Sequence, residues 1–492
     1  MSGSNGRPRR PSVAIVGGGF GGVGAATVLA RAGYEDVTVF EKRDRVGGVW
    51  EANTYPGAAC DIPSHLYEFS FAPNTWSRRF SPGPEIRAYI EGVARRFGVL
   101  GKVRTGTEVK GASWDEAIGR WRLQTSAGPH EADVLLAACG QLSVPQVPPI
   151  PGLDEFEGPA FHTARWRHDV DLAGKRVAVI GTGCSAIQVV PAIQPEVAQL
   201  DVYQRSPGWT FPKMDHEYSA RARALFRRFP ALRRLDRASV QAFQDFGAMA
   251  MTDRPWLLPV LRAIAKRQID AAIADPELRR KVTPSDEVGC KRIMLTDEWY
   301  PTLSKPNVEL IAERVEAVTA TGIRSAAGER PADAIVLATG FASHDFVAPM
   351  EIAGRQGRTL EETWGEVPRA YLGLTVPGFP NMFLLYGPNT NGGTGSVVNT
   401  IECGLGHVLA ALRELERGGA RTIEVRPETA DAFDRELRAA LAGTVWHSGC
   451  HNWYVDESGN DPSNWPWTWS TYRRRTATLE PGAYALGEAG RG

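Results

Sequence analysis

The chain repeats one order of apolar and small residues. Residues 13–16 and 177–180 are apolar runs that lead directly into glycine-rich turns. In each case small and apolar residues follow, and then a second apolar run at 37–40 or 200–203. A short apolar run bounded by glycine is typical of a buried strand. The pattern predicts a strand–turn–helix–strand unit, used twice, with a right-handed crossover and a parallel sheet.

A third apolar run closes each unit, because residues 133–140 and 333–340 are near copies that end in glycine. The second unit is longer, and its surplus falls in residues 213–285, whose pattern is helical and polar. We therefore expect an α/β fold with two Rossmann-like dinucleotide-binding domains and an inserted helical subdomain. The arginines of that insertion are expected to form a solvated helix face rather than a binding patch: Arg221, Arg223, Arg227, Arg228, Arg233 and Arg234.

Proline marks the boundary between the two units. Residues 141–152 are rich in proline, which neither continues a helix nor joins a central strand, so an extended linker is expected there. We predict that residues 1–145 and 345–492 form the first, discontinuous domain, with a tryptophan-rich tail. Residues 146–344 form the second domain, into which the helical segment 213–285 is inserted.

Composition excludes several classes of protein. The 492 residues are 43% hydrophobic and 23% charged, which is enough to bury a sizeable core. Lys and Arg (56) balance Asp and Glu (56), so the net charge argues against a nucleic-acid or acidic-membrane binder, although local patches stay open. The sequence has no apolar run long enough to span a membrane and no signal-peptide pattern at residues 1–11.

The six cysteines are scattered, and no two form a CxxC pair. A disulfide framework, a structural zinc site and a dithiol redox centre are therefore not expected, and a reducing, cytoplasmic setting is. Cys290 is predicted to be a buried, neutral thiol. His447 and His451 flank Cys450, but they lack a fourth ligand, so no metal is expected.

The first glycine turn has the features of a dinucleotide site. Gly17, Gly19 and Gly22 follow a strand and precede a helix, which lets a pyrophosphate approach the backbone at the helix N-terminus. Glu41 lies 19 residues after Gly22, at the tip of the second strand. A carboxylate there accepts hydrogen bonds from a ribose 2′-hydroxyl, which suits FAD or NAD.

The second glycine turn differs at the matching strand tip. The residue 24 positions after Gly181 is Arg205, followed by Ser206, whereas the residue 24 positions after Gly17 is Glu41. A guanidinium suits a 2′-phosphate, so this site is predicted to take NADPH. The turn residues expected to hold it are Gly181, Gly183, Ser185 and Ala186.

Two such sites in one chain indicate an NADPH-dependent flavoprotein, and the missing CxxC disfavours a disulfide reductase. Two further motifs narrow the family. Residues 156–166 match the pattern F-x-G-x-x-x-H-x-x-x-W, and Gly47, Gly48 and Trp50 are followed by an aromatic–Pro–Gly sequence and Asp61. With these motifs the chain resembles the type I Baeyer–Villiger monooxygenases, within the flavin-containing monooxygenases.

The resemblance implies an FAD- and NADPH-dependent enzyme that inserts one oxygen atom of O2 next to a ketone carbonyl, via a C4a-peroxyflavin, to give an ester or lactone. It implies that Arg292 stabilises the negatively charged peroxyflavin and that Asp61 positions this arginine. Arginine suits the role because it keeps its proton at working pH. Gly48 and Trp50 are expected beside the FAD.

Other residues carry over from the same resemblance. Lys291 is expected to join Arg205 on the 2′-phosphate, and Thr339 and Gly340 to form a hinge between the nucleotide domains. The linker residues expected to be structural rather than catalytic are His162 and Trp166.

Two other functions remain open at this stage. One is a flavin monooxygenase that oxygenates sulfur or nitrogen, and the other is an NADPH-flavin oxidase or reductase that does not oxygenate. The substrate is accordingly a ketone or a sulfide, and the oligomeric state is left open. Trp446, Trp453 and Tyr454 of the tail either line a substrate pocket or pack the tail onto the core.

Overall fold

The computed structural model describes residues 10–487. The expectation that residues 1–11 form no signal peptide therefore falls mostly outside the described residues. The strands are β1 (Val13–Val16), β2 (Val37–Phe40), β3 (Val103–Arg104), β4 (Val109–Asp115), β5 (Arg120–Thr125), β6 (Gly128–Ala132), β7 (Val134–Ala137), β8 (Ala160–His162), β9 (Arg176–Ile180), β10 (Gln199–Tyr203), β11 (Thr210–Phe211), β12 (Met294–Leu295), β13 (Val308–Ile311), β14 (Val315–Thr319), β15 (Gly322–Ser325), β16 (Gly328–Pro331), β17 (Ala334–Leu337), β18 (Glu351–Ala353), β19 (Met382–Leu384), β20 (Thr422–Val425) and β21 (Tyr484–Gly487). The helices are α1 (Phe20–Arg31), α2 (Val49–Ala52), α3 (Gly83–Arg96), α4 (Ala186–Ile193), α5 (Ala220–Arg228), α6 (Pro230–Met251), α7 (Leu258–Ala272), α8 (Pro276–Val282), α9 (Trp299–Leu303), α10 (Leu360–Trp364), α11 (Val397–Gly418), α12 (Pro427–Ala442) and α13 (Trp469–Thr476).

The first apolar repeat forms the centre of a parallel sheet with the order β19-β7-β1-β2-β3. Strand β1 pairs with β2 on one side and β7 on the other, in the register Val13↔Val37 and Val13↔Val134. Strand β19 comes from the C-terminal third and pairs with β7. This sheet is therefore assembled from two distant parts of the chain.

The second repeat forms an equivalent sheet, with the order β13-β10-β9-β17-β8. Its central strand β9 lies between β10 and β17, as β1 lies between β2 and β7. The near-copy segments β7 and β17 thus occupy the same place in their sheets. The predicted α/β class with two Rossmann-like domains is confirmed.

Both sheets are covered on both faces, which explains their continuous apolar runs. In the first sheet Val13 and Ile15 face α1, α3 and α11, while Ala14 faces Trp114 and Trp121 of the mixed sheet β18-β4-β5-β6. In the second sheet α4, α7 and α9 cover one face, and the antiparallel sheet β14-β15-β16 covers the other.

Residues 213–285 contain helices α5 to α8, as the pattern predicted. Helix α6 is attached to the first sheet's half of the molecule through Arg237, whose guanidinium donates to the carbonyl oxygens of His65 and Glu68. The same guanidinium donates to Asn399 Oδ1 in α11. The insertion therefore touches the domain that lies before and after it in sequence.

None of the helices within residues 10–487 is both long and apolar enough to cross a membrane.

One expectation about the cysteines is wrong. Cys290 is buried, but it is not a free thiol, because it forms a disulfide with Cys450. The two residues are 160 positions apart, and their Cα atoms are separated by 6.2 Å. Cysteine spacing along the chain carries no information about such a pair, since the fold alone brings the two backbones within bonding distance.

Thiol mapping tests this cross-link. We expect digestion of the non-reduced protein to release one disulfide-linked peptide pair that contains Cys290 and Cys450. Four thiols should react with an alkylating agent after denaturation, namely Cys60, Cys139, Cys184 and Cys403. Mass spectrometry distinguishes this outcome from six alkylated cysteines, which would contradict the disulfide. The reduced and alkylated protein is the control for complete labelling.

Candidate functional site

A cavity of about 1520 Å³ is lined by residues of both halves of the molecule. Both glycine turns, the linker, the Arg292 segment and the C-terminal tail contribute to its wall. The predicted site residues that line it are Gly17, Gly19, Glu41, Gly48, Trp50, Asp61, Gly181, Gly183, Ser185, Arg205, Ser206, Lys291, Arg292, Thr339 and Gly340. Gly22 and Ala186 are not on the wall; each lies in the first part of a helix, α1 or α4.

The first turn has room only for glycine. Gly17 has φ +108°, and a Cβ there would lie 2.4 Å from the carbonyl oxygen of Ala138. A Cβ on Gly22 would lie 1.8 Å from the carbonyl oxygen of Gly17. Because glycine has no side chain here, the start of α1 can lie directly against the ends of β1 and β7. The helix N-terminus then opens into the cavity, where an anionic group is stabilised.

Glu41 directly follows strand β2 beside this turn, and its side chain is buried. Its Oε2 accepts a hydrogen bond from the Gly18 N–H at 2.7 Å, and its Oε1 accepts one from the Arg43 N–H at 2.9 Å. The backbone thus orients the carboxylate at the cavity wall. Each oxygen keeps a second lone pair for a ribose hydroxyl.

Gly48 and Trp50 close the other side of the first turn. Gly48 has φ +56°, and a Cβ on it would lie 2.8 Å from the Cα of Gly19. The indole N–H of Trp50 donates to the hydroxyl of Tyr67 at 3.1 Å. The two glycine segments therefore approach one another closely, which leaves backbone rather than side chains facing the cavity.

The second turn repeats the geometry of the first. Gly181 has φ +111°, and a Cβ there would lie 2.4 Å from the carbonyl oxygen of Ala338, the counterpart of Ala138. Helix α4 begins at Ala186 after Ser185, whereas Gly183 has open space around it. A second helix N-terminus thus opens into the same cavity.

A group of polar side chains follows this second turn. Arg205 and Ser206 are exposed at the end of β10. The Lys291 ammonium donates to Ser206 Oγ at 3.0 Å and forms an ion pair with Asp286 at 2.6 Å. Lys291 therefore lies beside Ser206 and pairs with a carboxylate that was not anticipated. Its joint contact with Arg205 on a 2′-phosphate stays a prediction.

Thr339 and Gly340 lie where the chain passes between the two sheets. Thr339 Oγ1 donates to the carbonyl oxygen of Gln146 at 2.6 Å, and the Gln146 N–H donates to the carbonyl oxygen of Gly340 at 2.9 Å. Gly340 has φ +88° with open space around it. The two connecting segments are thus joined side by side, and the glycine permits the turn.

Arg292 and Asp61 meet on the cavity wall, although they are 231 residues apart. Arg292 Nη2 donates to Asp61 Oδ2 at 2.6 Å. Burial alone raises the pKa of Asp61, but the charge and hydrogen bond of Arg292 outweigh it, so the net shift of this pKa is downward. The Asp61 carboxylate in turn raises the pKa of Arg292. Both groups are therefore ionised at neutral pH.

The predicted linker residues have structural surroundings. His162 is buried, its Nδ1 accepts from the Ala164 N–H at 3.0 Å, and its ring meets Phe341 edge-on. Burial lowers the pKa of His162, which favours the neutral imidazole. Trp166 packs edge-on against Phe161, with 5.1 Å between ring centroids.

Three further polar residues of the cavity wall, Gln141, Tyr386 and Asn391, were not predicted from the sequence. Tyr386 donates to Asn391, and the Asn391 amide donates to Gln141 Oε1 at 2.9 Å. Burial raises the pKa of Tyr386, and the Arg292 charge opposes this shift. Tyr386 and Asn391 lie in the connection between β19 and α11, whereas Gln141 lies in the linker, and the three share no spacing motif.

The tail both packs and lines the cavity. Trp446 and Tyr454 are buried in one cluster, whereas Trp453 is partly exposed on the cavity wall. Trp446 and Tyr454 therefore pack the tail onto the core, whereas Trp453 lines the cavity. Within residues 10–487 no group of three or more His, Cys, Asp or Glu could hold a metal ion, and Cys450 is occupied by its disulfide.

The residues present fit both nucleotides. The Gly17 turn, which a Cβ would fill, and the oriented Glu41 carboxylate fit a dinucleotide with a free ribose hydroxyl such as FAD. The second turn, with Arg205 and Lys291, fits a dinucleotide that carries a 2′-phosphate.

The comparisons agree with this geometry. A family model described as an NAD(P)-binding Rossmann-like domain matches residues 15–81. A Baeyer–Villiger monooxygenase of Streptomyces coelicolor is 45% identical over 478 residues, which cover 96% of this chain and 92% of that protein. The chain belongs to the Baeyer–Villiger monooxygenase family.

Solved structures extend the likeness within this family. A steroid monooxygenase bound to NADP has a TM-score of 0.88 and 34% identity, covering 97% of this chain and 99% of that chain. The OTEMO complex with FAD and NADP has a TM-score of 0.85 and 25% identity, covering 97% and 100%. This Baeyer–Villiger family member is thus an FAD- and NADPH-dependent monooxygenase that acts on a small molecule with O2.

The Asp61–Arg292 pair predicts a pH-dependent loss of stability. The carboxylate has a lowered pKa in the folded state, so its contribution is present above the unfolded pKa of about 4 and is lost as pH falls through the folded pKa. We expect Asp61→Asn to lower the free energy of unfolding by about 2 kcal/mol at pH 7. Thermal unfolding of the FAD-loaded protein measures this.

Below about pH 4 the difference between Asp61→Asn and the unsubstituted protein should shrink. Asp169→Asn is the control, because Asp169 pairs with Arg167 on the surface and both side chains are well exposed. That variant should leave the melting temperature nearly unchanged. A pH-independent effect of Asp61→Asn would contradict the ion-pair account.

Proposed function

We propose that this chain inserts one atom of O2 next to a ketone carbonyl, using NADPH, to give an ester or lactone. The observation that carries the proposal is the Arg292 guanidinium, held by Asp61 on the wall of the cavity that both glycine turns line. When bound, FAD and NADPH supply the electrons and the activation of O2. The second oxygen atom leaves as water, so the two electrons of NADPH are accounted for.

Arg292 is proposed as the catalytic residue because it supplies a fixed positive charge. Negative charge that develops on oxygen in the cavity is stabilised by a cation that is already in place. A guanidinium keeps its charge over the whole working pH range, and Asp61 strengthens this by raising its pKa. Oxygenation of a soft sulfur or nitrogen atom needs a proton-bearing, electrophilic oxidant instead, so the permanent cation favours the ketone reaction.

Asp61 is proposed to act through Arg292. Its Oδ2 accepts from Nη2, and this contact limits the positions that the guanidinium can adopt. The carboxylate also offsets the cost of keeping the arginine away from bulk water. Asp61 is therefore a positioning residue as well as part of the first nucleotide site.

The cofactor-binding residues are proposals supported by the geometry. For FAD they are Gly17, Gly19, Gly22, Glu41, Gly48, Trp50 and Asp61. For NADPH they are Gly181, Gly183, Ser185, Ala186, Arg205, Ser206 and Lys291. Thr339 and Gly340 are proposed as the hinge, since their backbone joins the linker at Gln146.

Domain boundaries and location belong to the same proposal. Sheet membership supports a first domain of residues 1–145 and 345–492, because β19 joins the sheet of β1, and a second domain of residues 146–344. We propose that the enzyme works in the cytoplasm, where NADPH is regenerated. A disulfide is unusual in that compartment, so the thiol mapping also bears on this point.

The function is tested with purified protein, a panel of ketones and an aryl sulfide. The unsubstituted enzyme should convert at least one ketone to an ester or lactone with stoichiometric NADPH use. Arg292→Ala should bind FAD and be reduced by NADPH, yet its ester yield should fall by at least about a hundredfold, which is typical of losing a preorganised charge.

Arg167→Ala is the matched control, since this arginine is exposed and pairs only with Asp169 among the described residues. It should retain full activity. Sulfoxide as the sole product would favour the heteroatom monooxygenase, and stoichiometric peroxide with every substrate would favour an oxidase. Normal ester yield from Arg292→Ala would remove Arg292 from the mechanism.

The nucleotide preference is tested with Arg205→Ala. Loss of a guanidinium–phosphate contact should raise the KM for NADPH about tenfold or more and leave the KM for NADH within about twofold. Steady-state kinetics with both nucleotides measure this difference. Arg280→Ala, at an exposed position of α8, is the control. Equal losses for both nucleotides would contradict the 2′-phosphate assignment.

A further inference from the structure

The exposed apolar side chains are concentrated in the helical insertion. Fifteen large hydrophobic side chains are exposed within residues 10–487, and ten of them belong to residues 213–285. These ten are Met214, Leu225, Phe229, Leu232, Leu235, Phe243, Phe246, Trp256, Val260 and Ile264. Single exposed apolar residues are ordinary, whereas such a concentration marks an interaction surface.

Helix α6 has two opposite apolar faces. Its inner face carries the buried apolar residues Val240, Ala248 and Met251. The outer face is formed by Leu232, Leu235, Phe243 and Phe246, two pairs with a spacing of 11 residues, or about three helical turns. Leu235 is 66% exposed and Phe243 is 74% exposed. Packing within the chain therefore does not explain the outer face.

The next helix repeats this arrangement. Trp256, Val260 and Ile264 follow one another at intervals of four residues, and Trp256 is 68% exposed. The opposite side of α7 contributes Ala265 and Ile269 to the core of the second sheet. Trp256 lies in the short turn between α6 and α7, which contacts both helices, so the row on α7 begins near the C-terminal end of α6.

The insertion is also strongly basic. Residues 213–285 hold 15 Lys and Arg against 8 Asp and Glu, a net charge of +7, while the whole chain has 56 of each. The rest of the chain therefore carries −7. Eight exposed arginines of this region have no carboxylate within 4.0 Å among the described residues: Arg221, Arg223, Arg227, Arg228, Arg234, Arg254, Arg267 and Arg280. The zero net charge of the chain is therefore the sum of a basic insertion and an acidic remainder.

We propose that the outer faces of α5, α6 and α7 dock this enzyme on an anionic lipid surface. Amphipathic helices that combine Leu, Phe and Trp with unpaired arginines bind at the boundary between headgroups and acyl chains. The arginines match the negative headgroups, and an exposed tryptophan is favoured at this depth. The binding is peripheral, in agreement with the lack of a spanning helix within residues 10–487.

Charge complementarity favours lipid over a second copy of the chain. A two-fold dimer formed through this face would place one +7 segment against another, and like charges at a contact oppose association. A docked enzyme would instead meet apolar ketones where they concentrate, in the bilayer. Docking of this kind requires only the exposed apolar side chains and arginines of residues 213–285, whichever ketone is converted.

The test uses the full-length, FAD-loaded enzyme and vesicle flotation. Vesicles of phosphatidylcholine with phosphatidylglycerol should bind the enzyme at least about tenfold more tightly than vesicles of phosphatidylcholine alone. Binding should weaken as salt rises from roughly 0.05 to 0.5 M, because the Debye length shortens. The same enzyme without vesicles is examined by analytical ultracentrifugation.

Two double variants separate the apolar and the charged contributions. L235S/F243S and R227Q/R228Q should each weaken binding to the anionic vesicles by about tenfold or more. The matched controls are Leu486→Ser and Arg474→Gln, two exposed positions outside the insertion, which should bind like the unsubstituted enzyme. FAD content and turnover of a water-soluble ketone should be unchanged in all four, which shows that they fold.

Three results would overturn the proposal. One is no binding to anionic vesicles at low salt, and another is undiminished binding by both double variants. The third is an oligomer of the unsubstituted enzyme that dissociates in L235S/F243S without vesicle binding, which would assign the face to a second copy of the chain.

Discussion

The architecture depends on a steric constraint that the molecule uses twice. Gly17 and Gly181 each bring the backbone so close to the strand beside them that a Cβ would lie 2.4 Å from a carbonyl oxygen. Without side chains at these turns, α1 and α4 can start directly at the sheet edge, and their N-termini open into one cavity. The carbonyl oxygen belongs to Ala138 in the first half and to the equivalent Ala338 in the second, so the two turns have the same geometry.

Chemistry at the cavity depends on contacts between the two halves. Arg292 comes from the second unit and Asp61 from the first, and their 2.6 Å hydrogen bond joins them. The disulfide Cys290–Cys450 lies two residues before this arginine and attaches the segment to the C-terminal tail. The position of the positive charge is thus determined from both sides.

The helical insertion has a net positive charge that the zero net charge of the whole chain does not reveal. The chain is neutral overall, which argues against an acidic-membrane binder, yet residues 213–285 carry +7 and most of the exposed apolar side chains. The arginines do form a solvated face, with Arg233 near Glu68 as an exception. Exposure to solvent and readiness to bind a charged surface are compatible, since both need unpaired side chains.

The two strand–turn–helix–strand units and both nucleotide turns were readable from the amino-acid sequence, because they follow from local periodicity and from glycines whose spacing has a steric cause. Glu41 and Arg205 were also recognisable, since each lies at a set distance from its own turn. The Asp286–Lys291 ion pair and the Tyr386–Asn391 hydrogen bond are local, but no motif marks them. Packing in three dimensions alone sets the Cys290–Cys450 disulfide and the hydrogen bond from Asn391 to Gln141. Each of these joins segments that have no common period, and their approach is set by the packing of whole layers.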